Sequence, residues 1–130
     1  MKNKMTVKMV EREMEEDEVR LEKKRDYENA RRTKIALAKK LVAASKELEK
    51  AKVRRDETFV VRIETRDKHI ALKELLMKAR GGAKTTLAVR YAEAWSARKE
   101  AYQVRVAALN EYKAIRDEVA KLVTALEYFA

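Results

Sequence analysis

Arg80-Gly81-Gly82-Ala83-Lys84-Thr85-Thr86 is the stretch that decides the fold. Its two glycines are the only ones in a chain of 130 residues, they are adjacent, and there is no proline anywhere. Glycine reaches positive φ at little cost, and a proline-free helical run seldom stops elsewhere. From about Thr6 to Arg80, and again from Thr85 onward, the residues are good helix formers. The reading is all-α: a long helix, a Gly-Gly turn over 81–84, and a second helix folding back as an antiparallel coiled coil. Thr85 or Thr86 is placed to cap that second helix with its hydroxyl.

Upstream of the turn, Ile35, Leu37, Ala38, Leu41, Val42, Ala44, Leu48 and Ala51 give a broad apolar face at helical spacing. The pattern slips over 53–58, where Arg54-Arg55-Asp56-Glu57 falls on places due to the seam. It resumes with Phe59, Val60, Ile63, Ile70, Leu72, Leu75, Leu76 and Met77. A slip of this kind reads as a stutter, which unwinds a supercoil locally without ending the helix. Residues 58–63 are β-branched and aromatic, but a strand there has nothing to pair with. Downstream, Leu87, Tyr91, Ala94, Ala101, Ala108, Tyr112, Ile115, Val119, Leu122, Leu126 and Phe129 keep a heptad spacing. It fails at Arg98 and Arg105, where Trp95, Tyr102 and Leu109 on the adjacent stripe are expected to take over.

Arm length ties these readings together. Counting as many residues back from Gly81 as lie between Gly82 and Ala130 reaches Thr33. The broad apolar face of the first helix begins just there, at Ile35. The expected organisation is therefore a charged helical extension over 1–33, a first arm over 34–80, the turn, and a second arm over 85–130. Each arm would be about 70 Å long at the helical rise. The extension carries a thin stripe of Val7, Val10, Met14 and Leu21, which its own partner helix is too short to cover. Methionines at positions 1, 5, 9 and 14 suit an adaptable contact surface. An acidic run (Glu11, Glu13, Glu15, Glu16, Asp17, Glu18) precedes a basic one (Lys23, Lys24, Arg25, Arg31, Arg32).

Composition fits a rod better than a globule. Charged residues make up 42% of the chain, against roughly a quarter in ordinary domains. The net charge is +10, with the surplus concentrated between Ile35 and Arg80, and it favours anionic partners. There is no cysteine, hence no disulfide or thiolate chemistry. No run is apolar enough to span a membrane, and lysines interrupt the first ten residues where a signal peptide would be apolar. A cytoplasmic protein of bacterial or viral origin, phage included, is the expectation.

Chemical motifs are scarce. The Gly-Gly-Ala-Lys-Thr stretch departs from a phosphate-binding loop, which needs Gly-Lys-Ser/Thr after a strand. His69 is the only histidine, so no second histidine or cysteine can build a zinc site with it, and packing at the seam edge is its expected role. No nucleophile–base pair or cofactor motif is visible, and no enzyme is expected. A basic stripe of Arg32, Lys39, Lys46, Lys50 and Arg54 could follow a phosphate backbone, with Arg66, Lys73 and Arg80 repeating the spacing near the turn. The ordinary alternative is solvated charge beside a coiled-coil seam, with Glu47, Glu49, Glu64 and Glu74 as partners. In architecture the chain resembles the small charged helical hairpins that act as stalks, adaptors and chaperones, among them stalk proteins of export ATPases and phage scaffolding proteins. The functional expectation is a non-enzymatic adaptor or assembly factor, docking on a protein partner or its own copy through the N-terminal stripe. The alternative is sequence-tolerant nucleic-acid binding through the basic stripe.

Overall fold

The computed structural model describes residues 6–129 and contains two α-helices, α1 (Val7–Lys78) and α2 (Gly82–Glu127), with no strand among the described residues. They pack against each other as an all-α helical hairpin. Thr6 caps α1: its hydroxyl accepts from the Met9 N–H at 3.3 Å, and its carbonyl accepts from the same group at 2.9 Å. The helix then runs without a break through residue 33, where the extension and first arm were divided, and through 58–63.

The reversal is tighter than the sequence reading. Ala79 N–H still donates to the Leu75 carbonyl at 3.0 Å, and Gly81 alone adopts φ +66°. Gly82 is already helical, so α2 starts three residues before Thr85. Thr86 Oγ1 instead turns back to the Gly82 carbonyl at 3.4 Å, inside the helix, and neither threonine is a cap. One glycine at positive φ serves the reversal; the second can join the next helix.

The chain divides into two compact units, one of residues 42–121 around the turn and one of 6–41 with 122–129. In the first, contacts pair residues nearly equidistant from the glycines. Arg62, 19 residues before Gly81, lies against Tyr102, 20 after Gly82; Arg54, 27 before, is ion-paired with Glu111, 29 after. The seam of α1 is Ala44, Leu48, Ala51, Arg55, Thr58, Arg62, Thr65, His69, Leu72 and Leu76, all buried or half-buried. These follow strict steps of four and three, so there is no stutter over 53–58. The seam of α2 keeps the same steps through Leu87, Tyr91, Ala94, Arg98, Ala101, Arg105, Ala108, Tyr112, Ile115 and Val119. Arg98 and Arg105 stay in the seam, and the expected takeover fails for Trp95 and Tyr102, which are exposed; only Leu109 is half-buried. Phe59, Val60, Ile70, Leu75 and Met77, read as core, are exposed as well.

The core is correspondingly slight. The buried apolar residues are Ala44, Ala51, Ala94, Ala101 and Ala108, and no large side chain is fully buried among the described residues. Alanine lets two helix backbones approach closely, but each contributes little apolar area. In the other unit, Leu37, Leu41, Leu122, Ala125, Leu126 and Phe129 are half-buried. Phe129 shares a shallow hollow with Tyr27, Ala30, Arg31, Lys34 and Ile35, close to the Thr33 reached by counting. Every residue from 6 to 36 is exposed.

Two substitutions at the turn should have opposite signs. Neither glycine has any atom within 4 Å of an added Cβ, so only the backbone conformation differs. Gly81→Ala should destabilise the hairpin by about 1–2 kcal/mol through its left-handed φ, whereas Gly82→Ala should stabilise it by roughly 0.5–1 kcal/mol. Urea titrations followed by circular dichroism would measure both. Ala51, 1% exposed, is the tightest seam position. Ala51→Leu should cost about 1–3 kcal/mol by forcing the helices apart, and an unchanged urea midpoint would contradict the close approach.

Candidate functional site

The most structured surface lies on one flank of the 42–121 unit. Phe59 and Arg66 each follow a seam residue of α1 by one place, and Trp95 and Tyr102 do the same on α2. In an antiparallel pair that position falls on the same side of the seam from both helices, so the four gather on one flank. The seam arginines reach toward it. Arg62 lies over the Tyr102 ring at 4.4 Å and Arg105 over Phe59 at 5.1 Å, while Lys99 stands 4.9 Å from the Trp95 centroid. Arg55 makes the same contact with Tyr112 at 4.2 Å. A guanidinium half-removed from water needs negative charge or a π-face, and at the exposed margin a ring contact is worth about 0.5–1 kcal/mol. Arg55 is held in its charged form, above its ordinary pKa, by the hydrogen bond from its Nε to Asp56 Oδ1 and by that carboxylate's charge, against some desolvation. Arg105 donates to the Arg55 backbone carbonyl, which also accepts from Thr58 Oγ1 at 2.9 Å. Arg62, Arg66, Trp95, Arg98, Lys99, Tyr102 and Gln103 line a hollow of about 390 Å³: four cations and no carboxylate.

His69 sits beneath this flank, 4% exposed. Its ring stacks on Tyr91 at 4.7 Å and lies 4.9 Å from Trp95. Arg98 Nη1 is 2.9 Å from His69 Nδ1. Because arginine only donates, Nδ1 must accept, which places the imidazole proton on Nε2. That nitrogen is buried without a partner among the described residues. Burial, then the charges of Arg98 and Lys73, push the His69 pKa below 6.5. The seam-edge packing read from sequence becomes a buried neutral imidazole.

The predicted residues are distributed differently. Val7 (73% exposed), Val10 (40%), Met14 (60%) and Leu21 (53%) lie exposed on α1 among the described residues. Met9 is also exposed; Met1 and Met5 lie outside the described residues. Val7, Met14 and Leu21 extend by sevens to Ile35, one place beyond the seam-phase residue Lys34, so the stripe is turned away from the seam. In the basic stripe, Arg32, Lys39 and Lys46 are exposed and recur by sevens. Lys50 is 3.4 Å from Glu47, and Arg54 is ion-paired with Glu111. All five are exposed, and two of them already have a carboxylate partner. Of the second basic set, Arg66 lines the hollow, with Asp67 at 3.2 Å as its ion-pair partner. No group of acidic, histidine or cysteine side chains among the described residues could hold a metal, and no described helix is long and apolar enough to cross a membrane.

Sequence reading missed Phe59, Arg62, Trp95, Arg98, Lys99 and Tyr102 as a set. The signal was available in phase rather than hydrophobicity. Carrying the four-and-three step on from Leu48 and Ala51 lands on Arg55, Thr58, Arg62, Thr65 and His69.

Taken as a class, the fold is a two-helix antiparallel hairpin whose seam is cationic in the middle. No family model, curated protein sequence or solved structure matches the chain.

The buried imidazole makes the hairpin sensitive to acid. With a folded-state pKa below the unfolded value of 6.5, the unfolded chain takes up the proton first. The His69 contribution is therefore intact above about pH 6.5 and is lost as pH falls through the unfolded and then the folded pKa. His69→Leu, which removes both the proton site and the unpaired Nε2, should flatten that part of the urea-midpoint profile. Because the variant also removes the Tyr91 stack and the acceptor of Arg98, the slope of the acid limb, and not the midpoint at about pH 8, is the readout. An unchanged acid limb in the variant would assign the sensitivity to other groups.

Proposed function

We propose that the chain is a non-enzymatic interaction protein, an adaptor or assembly factor, that docks through the N-terminal part of α1. The observation that carries this reading is the exposure of every residue from 6 to 36 in a continuous helix bearing an apolar stripe. A single polar helix of this kind gains little from intrinsic propensity alone, so its order depends on something that packs against the stripe. Val7, Val10, Met14 and Leu21 are the anchors.

The charge order favours a second copy lying antiparallel. Glu13, Glu15, Glu16, Asp17 and Glu18 would then face Lys23, Lys24 and Arg25 of the other chain, with the two Leu21 side chains near the centre of the contact. Opposed charge at the margins sets orientation, and the stripe supplies the apolar contact. Only Arg20–Asp17, at 3.3 Å and strongly exposed, pairs charges within this stretch among the described residues. Surface pairs of that kind contribute little, and most of these charges remain available to a partner.

In the full-length chain, Met14→Glu with Leu21→Glu should convert a dimer to a monomer in sedimentation equilibrium, with helicity of the 42–121 unit retained. Removing residues 1–32 should give the same result. The parent dimer should weaken between low and high salt, because its orientation depends on exposed charge. A truncated chain that still assembles like the parent would refute the docking role of this segment.

A further inference from the structure

We propose that the flank formed by Phe59, Arg62, Arg66, Trp95, Lys99 and Tyr102 is a binding site for single-stranded nucleic acid, which stacks bases on the rings and sets phosphates against the cations. This goes beyond docking through the N-terminal helix and uses none of its residues.

Three observations select this ligand. First, the hollow presents four cations and no carboxylate, so its occupant is anionic. Second, Phe59, Trp95 and Tyr102 remain 49%, 42% and 53% exposed beside a seam that uses alanine, arginine and threonine. Such rings were not needed for the core and offer flat apolar faces to solvent. A purely charged polyanion would use the cations and leave the rings unused, while an acidic peptide would not match their planes. A duplex hides its base faces. An unpaired strand supplies both phosphates and π-faces, and stacking on aromatic side chains beside a basic groove is how such strands are held without sequence preference. Third, the spacing fits. Phe59 lies level with Arg105, Tyr102 with Arg62, and Trp95 with His69. Ten residues of α1 separate the outer levels, about 15 Å along the axis at the helical rise. One base on each of these three levels sets about three nucleotides over that length.

The present partners of the rings do not block this use. Arg62 covers one face of Tyr102, and a base can stack on the other face or on the guanidinium plane itself. Lys99, exposed and on a flexible stem, can leave Trp95 for a phosphate when a base takes its place. His69 backs Trp95 from the buried side and holds the indole in position.

Trp95 is the only tryptophan, so its fluorescence reports this site alone. Titrating the full chain with oligodeoxythymidylate should quench that emission and shift the anisotropy of a labelled strand. The log–log salt slope should be near −2 for about three neutralised phosphates at about −0.7 each. Tyr102→Ala and Trp95→Ala should each weaken binding roughly five- to a hundredfold, with helicity and melting as controls. Arg66→Glu with Lys99→Glu on the exposed flank provides a second pair should a ring variant unfold, and it should abolish binding. The proposal is overturned if binding occurs without quenching, if heparin or polyglutamate binds as tightly as the oligonucleotide, or if duplex DNA binds more tightly. It is equally overturned if no binding is detected. None of these results bears on assembly through residues 7–21, which sedimentation reads separately.

Discussion

Arg62 lying over Tyr102, repeated in altered form by Arg105 over Phe59 and Arg55 over Tyr112, is the contact on which the middle of the hairpin depends. Its origin is a constraint of phase. A helix with no proline and no internal glycine has no inexpensive way to change register, so the seam must accept whatever residue the heptad delivers. For five successive α1 positions it delivers Arg55, Thr58, Arg62, Thr65 and His69. Threonine hydroxyls return to the backbone, as Thr58 does to Arg55 and Thr65 to Val61 at 2.9 Å each. The arginines have no such recourse, and their guanidinium groups reach past the seam to ring faces, a carboxylate or a carbonyl. The aromatic residues are therefore drawn to the margin, and the alanines hold the centre.

The fold was legible because the features that set it are local and unambiguous. Two adjacent glycines in a proline-free chain mark the reversal, and equal arm lengths fix the register that Arg54–Glu111 and Phe129 near Lys34 display. The candidate site was not legible, because hydrophobicity and phase disagree over 53–70. Following the apolar residues leads to Phe59, Val60, Ile63 and Ile70 and needs a slip of the seam. Following the step of four and three needs arginines inside it. The backbone favours the second, since long cationic side chains can bury their stems and carry the charge outward. The same choice on α2 kept Arg98 and Arg105 in place and left Trp95 and Tyr102 on the surface. The cap at Thr85 failed for a smaller reason: Gly82 needs no turn conformation once Gly81 has supplied it.

A seam of alanine, half-buried leucine and arginine changes what holds such a hairpin together. Apolar area alone offers little margin, so stacked and charge-assisted contacts carry a larger share than in a leucine-rich coiled coil. His69 shows the cost of that solution. Its stacking on Tyr91 and its contact with Arg98 come with an enclosed nitrogen that has no partner among the described residues.

The near-mirror pairing about Gly81 also sets an order of assembly. His69 with Arg98 closes a loop of 29 residues, while Arg54 with Glu111 closes one of 57. Loop closure grows costlier by about 0.6 kcal/mol for each doubling of length, so the inner contact is the less expensive one to form first. Each completed layer then shortens the open loop left for the next, and the two helices close from the turn outward as a zipper. On melting, the same geometry opens the Arg54–Glu111 pair before the Tyr91–His69–Trp95 stack, and the half-buried Leu72, Leu76 and Leu87 beside the turn separate last.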